Sequence, residues 1–492
     1  MKQSETRNLT MMMDLYEMTM ANGYFNDQDK DTRVAFDVFY RSNPDGGGFA
    51  IFAGLEQILE YIENLHFDEE DIAYFRSLNI FTEDFLAYLK DFKFSGDIYA
   101  FKEGTIMYPN EPIITVVAPL IDAQLIETAL LAQVNHQSLI ATKTRRIVSA
   151  AEGRAVSDFG ARRAHNMDAA VYGARAAYIG GAVGTATVLA GQMFDIPVSG
   201  TMAHSWVMYY KDEFEAFKHY AENYPDGTVL LVDTYDVIGS GIPNAIRVAK
   251  EVLEPMGKRL KGIRIDSGDL AYLSKEAYKM LAAAGFDDAT ISASSDLDEY
   301  LIESLKAQDA KINSWGVGTN LITSGDWPAF GGVYKLAAAK DKEDAEFTPK
   351  IKLSENSEKV TNPGNKTIFR IYDKESGKIR ADLICLADET FDESKDMIIF
   401  DPIETWKKTK IKGGTYTLRE LLVPIFQKGA CVYTSPSVME IRDICTREKD
   451  TLWEESKRLV NPHEVYVDLS DKLYHIKSDL LEEMSMKALG EQ

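Results

Sequence analysis

The stretch RIDSGD, residues 264–269, sets a guanidinium and two carboxylates around a Ser-Gly turn. Arg264 can grip a carboxylate or phosphate through two parallel N–H bonds. Asp266 and Asp269 can hold Mg2+ through water or stabilise a developing cation. The same residues also suit an Arg–Asp pair that merely fixes a turn after a strand. DFGARR, residues 158–163, repeats the theme. Phe159 can stack on a flat ring and Arg162 can meet an anion; equally, Asp158 can cap a helix beside two solvated arginines. SWGVGTN (314–320) and FGGVYK (330–335) are glycine-rich turns. Free N–H groups at such turns bind phosphate, although most turn glycines serve only the turn. His204 stands alone in SGTMAHSW, with no cysteine nearby and no second histidine three to five residues away. That spacing argues against a metal ligand, and the absence of G-x-S-x-G argues against a serine-hydrolase triad. General base or nucleophile remain, with Asp233 of VDTYD available as an orienting carboxylate.

These residues need elements to carry them. Short apolar runs end in polar or glycine residues at AVSDFG, VGTATVLAG, IPVSGT, TVLLVDTYD, GIRIDSGD, TISASSD, INSWGVGTN and GGVYKLAA. Helical patterns such as AYLSKEAYKMLAAAG fill most of the gaps. Buried strands alternating with helices predict a parallel sheet, and about eight such runs suggest an irregular barrel. In a barrel, chemistry sits at the C-terminal ends of strands. That rule nominates Asp158, Ala186, His204, Asp233, Asp266, Ser294 and Gly318 as neighbours in one pocket. Residues 1–119 mix helix and strand signals, 120–340 carry the barrel rhythm, and 341–492 alternate like antiparallel strands before ending in helix.

The chain has 492 residues, enough for two or three domains, and 45% of them are hydrophobic. Its net charge of −23 argues against a general nucleic-acid binder. No apolar run approaches the ~18 residues that span a bilayer, and the N-terminus lacks a signal pattern, so a cytoplasmic protein without membrane contact is expected. Three widely spaced cysteines imply neither a zinc site nor a disulfide framework.

The motifs DLYEMTMANGYF, FYRSNPDGGGFAIFAGLE, DFGARRAH, SGTMAHSW, VDTYD, IRIDSGD and GVGTNLIT follow one another, with LSENSEKVTNPGNK and NPHEVYVDLS after them. In this combination the chain resembles the nicotinate phosphoribosyltransferase family over nearly its whole length. The resemblance implies an α/β fold: an irregular (β/α) TIM-like barrel with a flanking α/β sandwich domain built from N- and C-terminal segments. It implies a homodimer with shared active sites. The implied reaction converts nicotinate and phosphoribosyl pyrophosphate to nicotinate mononucleotide and pyrophosphate, in NAD salvage. ATP is the implied co-substrate, through a transient phosphohistidine at His204, and Mg2+ the implied cofactor. Asp233 matches the carboxylate partner of that histidine. Asp266 matches a residue that holds ribose or metal-bound diphosphate. By the same resemblance Arg264 and Arg162 serve the base or phosphates, and Thr201 and Thr319 contact substrate. Gly316, Gly318, Gly331 and Gly332 bracket the 5′-phosphate. Tyr16 of the second subunit and Phe159 sandwich the pyridine ring. Arg41, Lys359 and Lys366 match basic positions that reach phosphates across the interface.

Ala186, in VGTATV, stands where nicotinamide-using relatives carry an aspartate. An aspartate would accept from an amide NH2 but repel a carboxylate, so Ala186 favours nicotinate. The competing expectations are a nicotinamide phosphoribosyltransferase and a non-catalytic sensor of NAD metabolites. The sensor would be expected to lose His204, Asp233 or Asp266, and all three are present.

Overall fold

Apolar runs at Ala155–Asp158, Gly184–Thr185, Val229–Leu231, Gly262–Ile265, Thr290–Ser295 and Ser314–Val317 form one parallel sheet. In space the order is Gly184–Thr185, Ala155–Asp158, Ser314–Val317, Thr290–Ser295, Gly262–Ile265, Val229–Leu231. The computed structural model describes residues 7–30, 32–340, 346–354, 360–404 and 406–488. Val156, Ile263, Ile265, Ile291, Trp315 and Val317 are buried, as strands covered by helices require. Helices Met167–Gly180, Leu270–Ala283 and Glu299–Ala307 follow three of these strands. Each starts on a side-chain cap, from Asn166, Asp269 and Asp298 respectively.

Two of the eight expected strands behave otherwise. IPVSGT contributes a single parallel bridge, Val198 to Thr185, outside the edge of the sheet. GGVYKLAA belongs elsewhere: Val333–Lys340 pairs antiparallel with Arg33–Phe39. Most of its residues are only partly buried, unlike those of a strand buried on both faces. The parallel sheet is therefore open in its backbone pairing among the described residues.

The chain divides into two compact units: Ile140–Pro328, which carries the parallel sheet, and Met1–Leu139 together with Ala329–Gln492. The divisions thus fall at 139/140 and 328/329, where pattern alone suggests 119/120 and 340/341. The long helix Glu127–Ala150 runs through the first, and the pairing of Val333–Lys340 moves the second. The two-segment unit holds a seven-stranded antiparallel sheet and a six-stranded mixed sheet. In the mixed sheet Arg370 is fully buried, bonded to Asp382 at 2.6 Å and Glu448 at 3.1 Å. Such a buried cation persists only because its N–H groups are paired.

Candidate functional site

Strand ends in the unit Ile140–Pro328 bring His204, Asp233, Arg264 and Asp266 together. His204 opens the short helix His204–Tyr209, just beyond the Val198 bridge. Its Nδ1 lies 3.1 Å from Thr234 Oγ1, and its Nε2 lies 3.8 Å from Asp266 Oδ2. The side chain is about two-fifths exposed. Asp233 is not the ring's partner. Its Oδ2 accepts from Asp266 N at 3.0 Å and Ser267 Oγ at 2.6 Å, while its Oδ1 is buried with no hydrogen bond. Asp233 therefore fixes the RIDSGD turn, and Thr234 takes the place at the imidazole expected of Asp233.

Asp266 accepts a short hydrogen bond from Ser294 Oγ and lies 4.0 Å from Arg264 Nη2. Asp269 points away from this chemistry, capping Leu270–Ala283 through a bond from Tyr272 N. Arg264 is largely buried, and burial lowers its pKa, opposed by Asp266 and Asp233. Its Nη1 donates to Thr201 Oγ1 at 2.7 Å, and its guanidinium lies 6.0 Å from the Phe159 ring centre. Thr201 and His204 follow one edge of the sheet, whereas Arg264 and Thr234 belong to or follow its last two strands. Side chains from opposite edges of the open sheet thus meet at the site.

Asp158 is buried and its pKa is raised by that burial. It accepts from Thr185 Oγ1 at 2.7 Å and Gly160 N at 2.8 Å, which makes it the clamp of the turn that aims Phe159. Phe159 lies over Gly316: a Cβ at Gly316 would fall 2.4 Å from the ring. Gly318 precedes the short helix Thr319–Ile322, close to the Phe159 carbonyl. Ala186 is exposed at its strand end, its N–H bonded to Asp158 O at 2.9 Å. Arg162 is exposed on the turn Ala161–Arg163 and opposes the charged form of Arg264.

The remaining expected residues lie in the other unit. Tyr16 is exposed on the helix Leu15–Asn26, and its pKa is raised by desolvation and by Glu127. Gly331 has φ +76°, and Gly332 N donates to Asn135 Oδ1 at 2.9 Å. Arg41 is half-buried near the Phe39 ring, with its Nε unpartnered. Lys366 is buried and committed to Asp37 at 2.7 Å, so its ammonium does not face solvent. Lys359 lies outside the described residues.

Thr234 and Ser267 join this cluster although the sequence pattern does not single them out. Both are hydroxyls next to an acid at a strand end, which is the signal that could have found them. Among the described residues no group of three or more His, Cys, Asp or Glu could hold a metal ion.

Comparison with known proteins identifies the family. Three family models match in succession: the nicotinate phosphoribosyltransferase N-terminal domain over residues 11–135, the nicotinate phosphoribosyltransferase family over 154–380, and the C-terminal domain over 365–477. Nicotinate phosphoribosyltransferase of Bacillus subtilis is 47% identical over 97% of this chain and 98% of that protein. A Mycobacterium tuberculosis protein of the same name is 38% identical over 94% of this chain and 92% of its own. The crystal structure of human nicotinic acid phosphoribosyltransferase superposes with a TM-score of 0.84 at 27% identity, covering 95% of this chain and 99% of that one. The chain belongs to the nicotinate phosphoribosyltransferase family.

Proposed function

We propose that this chain transfers the phosphoribosyl group of phosphoribosyl pyrophosphate to nicotinate, and that ATP drives the transfer through phosphorylation of His204. The observation that carries the reading is the partly exposed His204 ring itself: one nitrogen lies against Thr234 and the other beside Asp266. In the transfer, the pyridine nitrogen attacks the anomeric carbon while the bond to the pyrophosphate oxygen breaks, and pyrophosphate leaves with the bonding pair. The ribose then carries oxocarbenium character, as at other anomeric centres. Asp266, fixed by Ser294, supplies a pre-oriented negative charge for it. Phe159 offers a flat face to the pyridine ring, and Arg264 and Arg162 offer cations to the carboxylate or phosphates.

Mg2+ commonly uses one or two carboxylates plus substrate phosphates, and Asp266 with Asp233, whose Oδ1 has no hydrogen bond, fits that habit. Held there, it would neutralise charge on the leaving pyrophosphate. Ala186 leaves room and no repulsive charge for the nicotinate carboxylate, which favours nicotinate over nicotinamide. Tyr16 and Arg41 are read as the contributions of a second subunit in a homodimer. Lys366 is left out of that set because Asp37 already holds its charge. The meeting of side chains from opposite sheet edges supports an irregular barrel, closed at this seam by side chains in place of a backbone ladder.

Incubation with γ-labelled ATP tests the coupled mechanism. Wild type is expected to take up acid-labile, base-stable label, and His204→Ala none. Equal label on both, or no label on wild type together with ATP-independent turnover, would overturn it.

A further inference from the structure

We propose that the cleft built around NPHEVYVDLS is a binding site for a nucleoside monophosphate, separate from the site around His204. No residue placed in the transferase chemistry takes part in it. His463, Glu464 and Tyr466 of this stretch line a hollow of about 250 Å3. Ile379, Ala381 and Ile411 give the hollow an apolar lining, each almost wholly buried. Trp453 and Tyr466 add two large rings, 40% and 51% exposed. The indole is pinned at one edge, because Nε1 donates to Ile379 O at 2.7 Å. A ring that is already held loses little freedom when a flat heterocycle stacks on it.

One polar group here lacks a partner. Ser456 lines the hollow and is buried, and its Oγ makes no hydrogen bond among the described residues. A buried hydroxyl left bare is costly, so a ligand atom that pairs with it is favoured. The edge of a heteroaromatic base carries such donors and acceptors, whereas a hydrocarbon ring has none.

A neighbouring hollow of about 370 Å3 shares His463, Glu464 and Tyr466, and is bordered by Arg458 and Asn461. Arg458 and His463 are exposed. A guanidinium meets a phosphate through parallel N–H bonds. Glu464 lines both hollows, and a carboxylate there can accept from ribose hydroxyls. Base, sugar and phosphate are thus matched by apolar, acceptor and cationic surroundings in turn. The loop that carries these groups is tightly packed. His463 N donates to Glu455 O at 3.0 Å. A Cβ added at Gly48 would fall 2.6 Å from Ser456 O and 3.0 Å from Pro462 Cβ. The walls are therefore set before a ligand arrives, which lowers the entropy cost of binding.

Equilibrium dialysis of labelled AMP against the full-length protein tests the site. Wild type should bind AMP with a Kd below about 1 mM. Trp453→Leu should weaken binding about five-fold or more, the loss of one base stack. Arg458→Gln should weaken it at least about ten-fold, the loss of a charged hydrogen bond. Adenosine, which has no phosphate, should bind wild type and Arg458→Gln equally. His204→Ala should bind AMP as wild type does, whatever becomes of the phosphohistidine. Nicotinate turnover at the wild-type rate in Trp453→Leu and Arg458→Gln shows that both fold; Arg458, exposed on its loop, keeps the test decisive if Trp453→Leu does not. The proposal is overturned if wild type binds no AMP below about 1 mM, or if adenosine binds wild type as tightly as AMP. It is equally overturned if Arg458→Gln binds AMP like wild type while His204→Ala loses it.

Discussion

Replacing Gly316 by alanine separates two roles for that residue, as a bracket for phosphate or as the seat of Phe159. A Cβ built on Gly316 falls 2.4 Å from two Phe159 ring carbons and 3.3 Å from a third. Ordinary carbon contacts lie near 3.5–4.0 Å, so the ring must retreat by about 1 Å. The backbone cannot absorb this shift easily. Phe159 N is bonded to Val317 O at 2.8 Å, and Asp158 clamps the turn through Gly160 N and Thr185. The ring must therefore rotate, at an overpacking cost of about 1–3 kcal/mol. For a unit of this size each kcal/mol lowers Tm by about 2–4 °C. An aromatic stack is worth about 0.5–1.5 kcal/mol, so its loss should raise the nicotinate KM by about 2- to 12-fold. Steady-state kinetics with each substrate varied in turn, beside a thermal melt, measure both effects. Phe159→Leu combined with Gly316→Ala should recover much of the Tm and leave the nicotinate KM high. An unchanged nicotinate KM with a raised KM for phosphoribosyl pyrophosphate would refute the reasoning and restore the phosphate role.

Ala186→Asp places a charge at an exposed strand end without a packing cost, and should lower nicotinate kcat/KM by at least about ten-fold, the scale of a like-charge contact; an unchanged value would sink the steering role. Lys366→Met strands the Asp37 carboxylate in the interior and should destabilise the fold by about 3–5 kcal/mol, read as a lower urea midpoint. Its KM for phosphoribosyl pyrophosphate should stay near wild type, and a raised KM with unchanged stability would mean that Lys366 does reach phosphate. Glu17 is pushed up to about 7, mainly by burial, and its Oε2 has no hydrogen bond. The folded chain then binds more protons than the unfolded one between the ordinary glutamate range and about pH 7, so this group's stabilising contribution falls as pH rises through that window. Glu17→Gln should flatten that part of the urea-midpoint profile between pH 5 and pH 8; an unaltered slope would show that Glu17 does not cause it.

Local features were legible wherever one stretch contains the whole cause. RIDSGD holds the end of the strand Gly262–Ile265, a glycine at φ +80° and the cap Asp269, so strand, turn and helix start can be read from consecutive residues. Rules of strand-end placement likewise reached Ser294 and Asp266, which the structure brings into contact. The misplacement of 331–338 has a different origin. An apolar run shows that a strand exists, but its partner, Arg33–Phe39, lies some three hundred residues away. The burial of Lys366 was illegible for the same reason, because the residue that makes it tolerable is Asp37.

Thr234 marks a finer limit. Asp233 and Thr234 are consecutive in the turn just past the strand Val229–Leu231, and their side chains take different partners. Pattern places the strand end within two residues of Leu231, yet a single residue decides whether a carboxylate or a hydroxyl meets His204. Chemistry weighs the acid more heavily, since carboxylates are the familiar partners of imidazoles. Asp233 had a prior claim on it, however. The turn at 266–267 presents a backbone N–H and a hydroxyl that need an acceptor, and Asp233 Oδ2 takes both. Once that carboxylate is committed to building the loop that carries Asp266, the hydroxyl beside it is left for the ring. The acid thus acts on the chemistry through the loop, and the residue that touches His204 is the neutral one next to it.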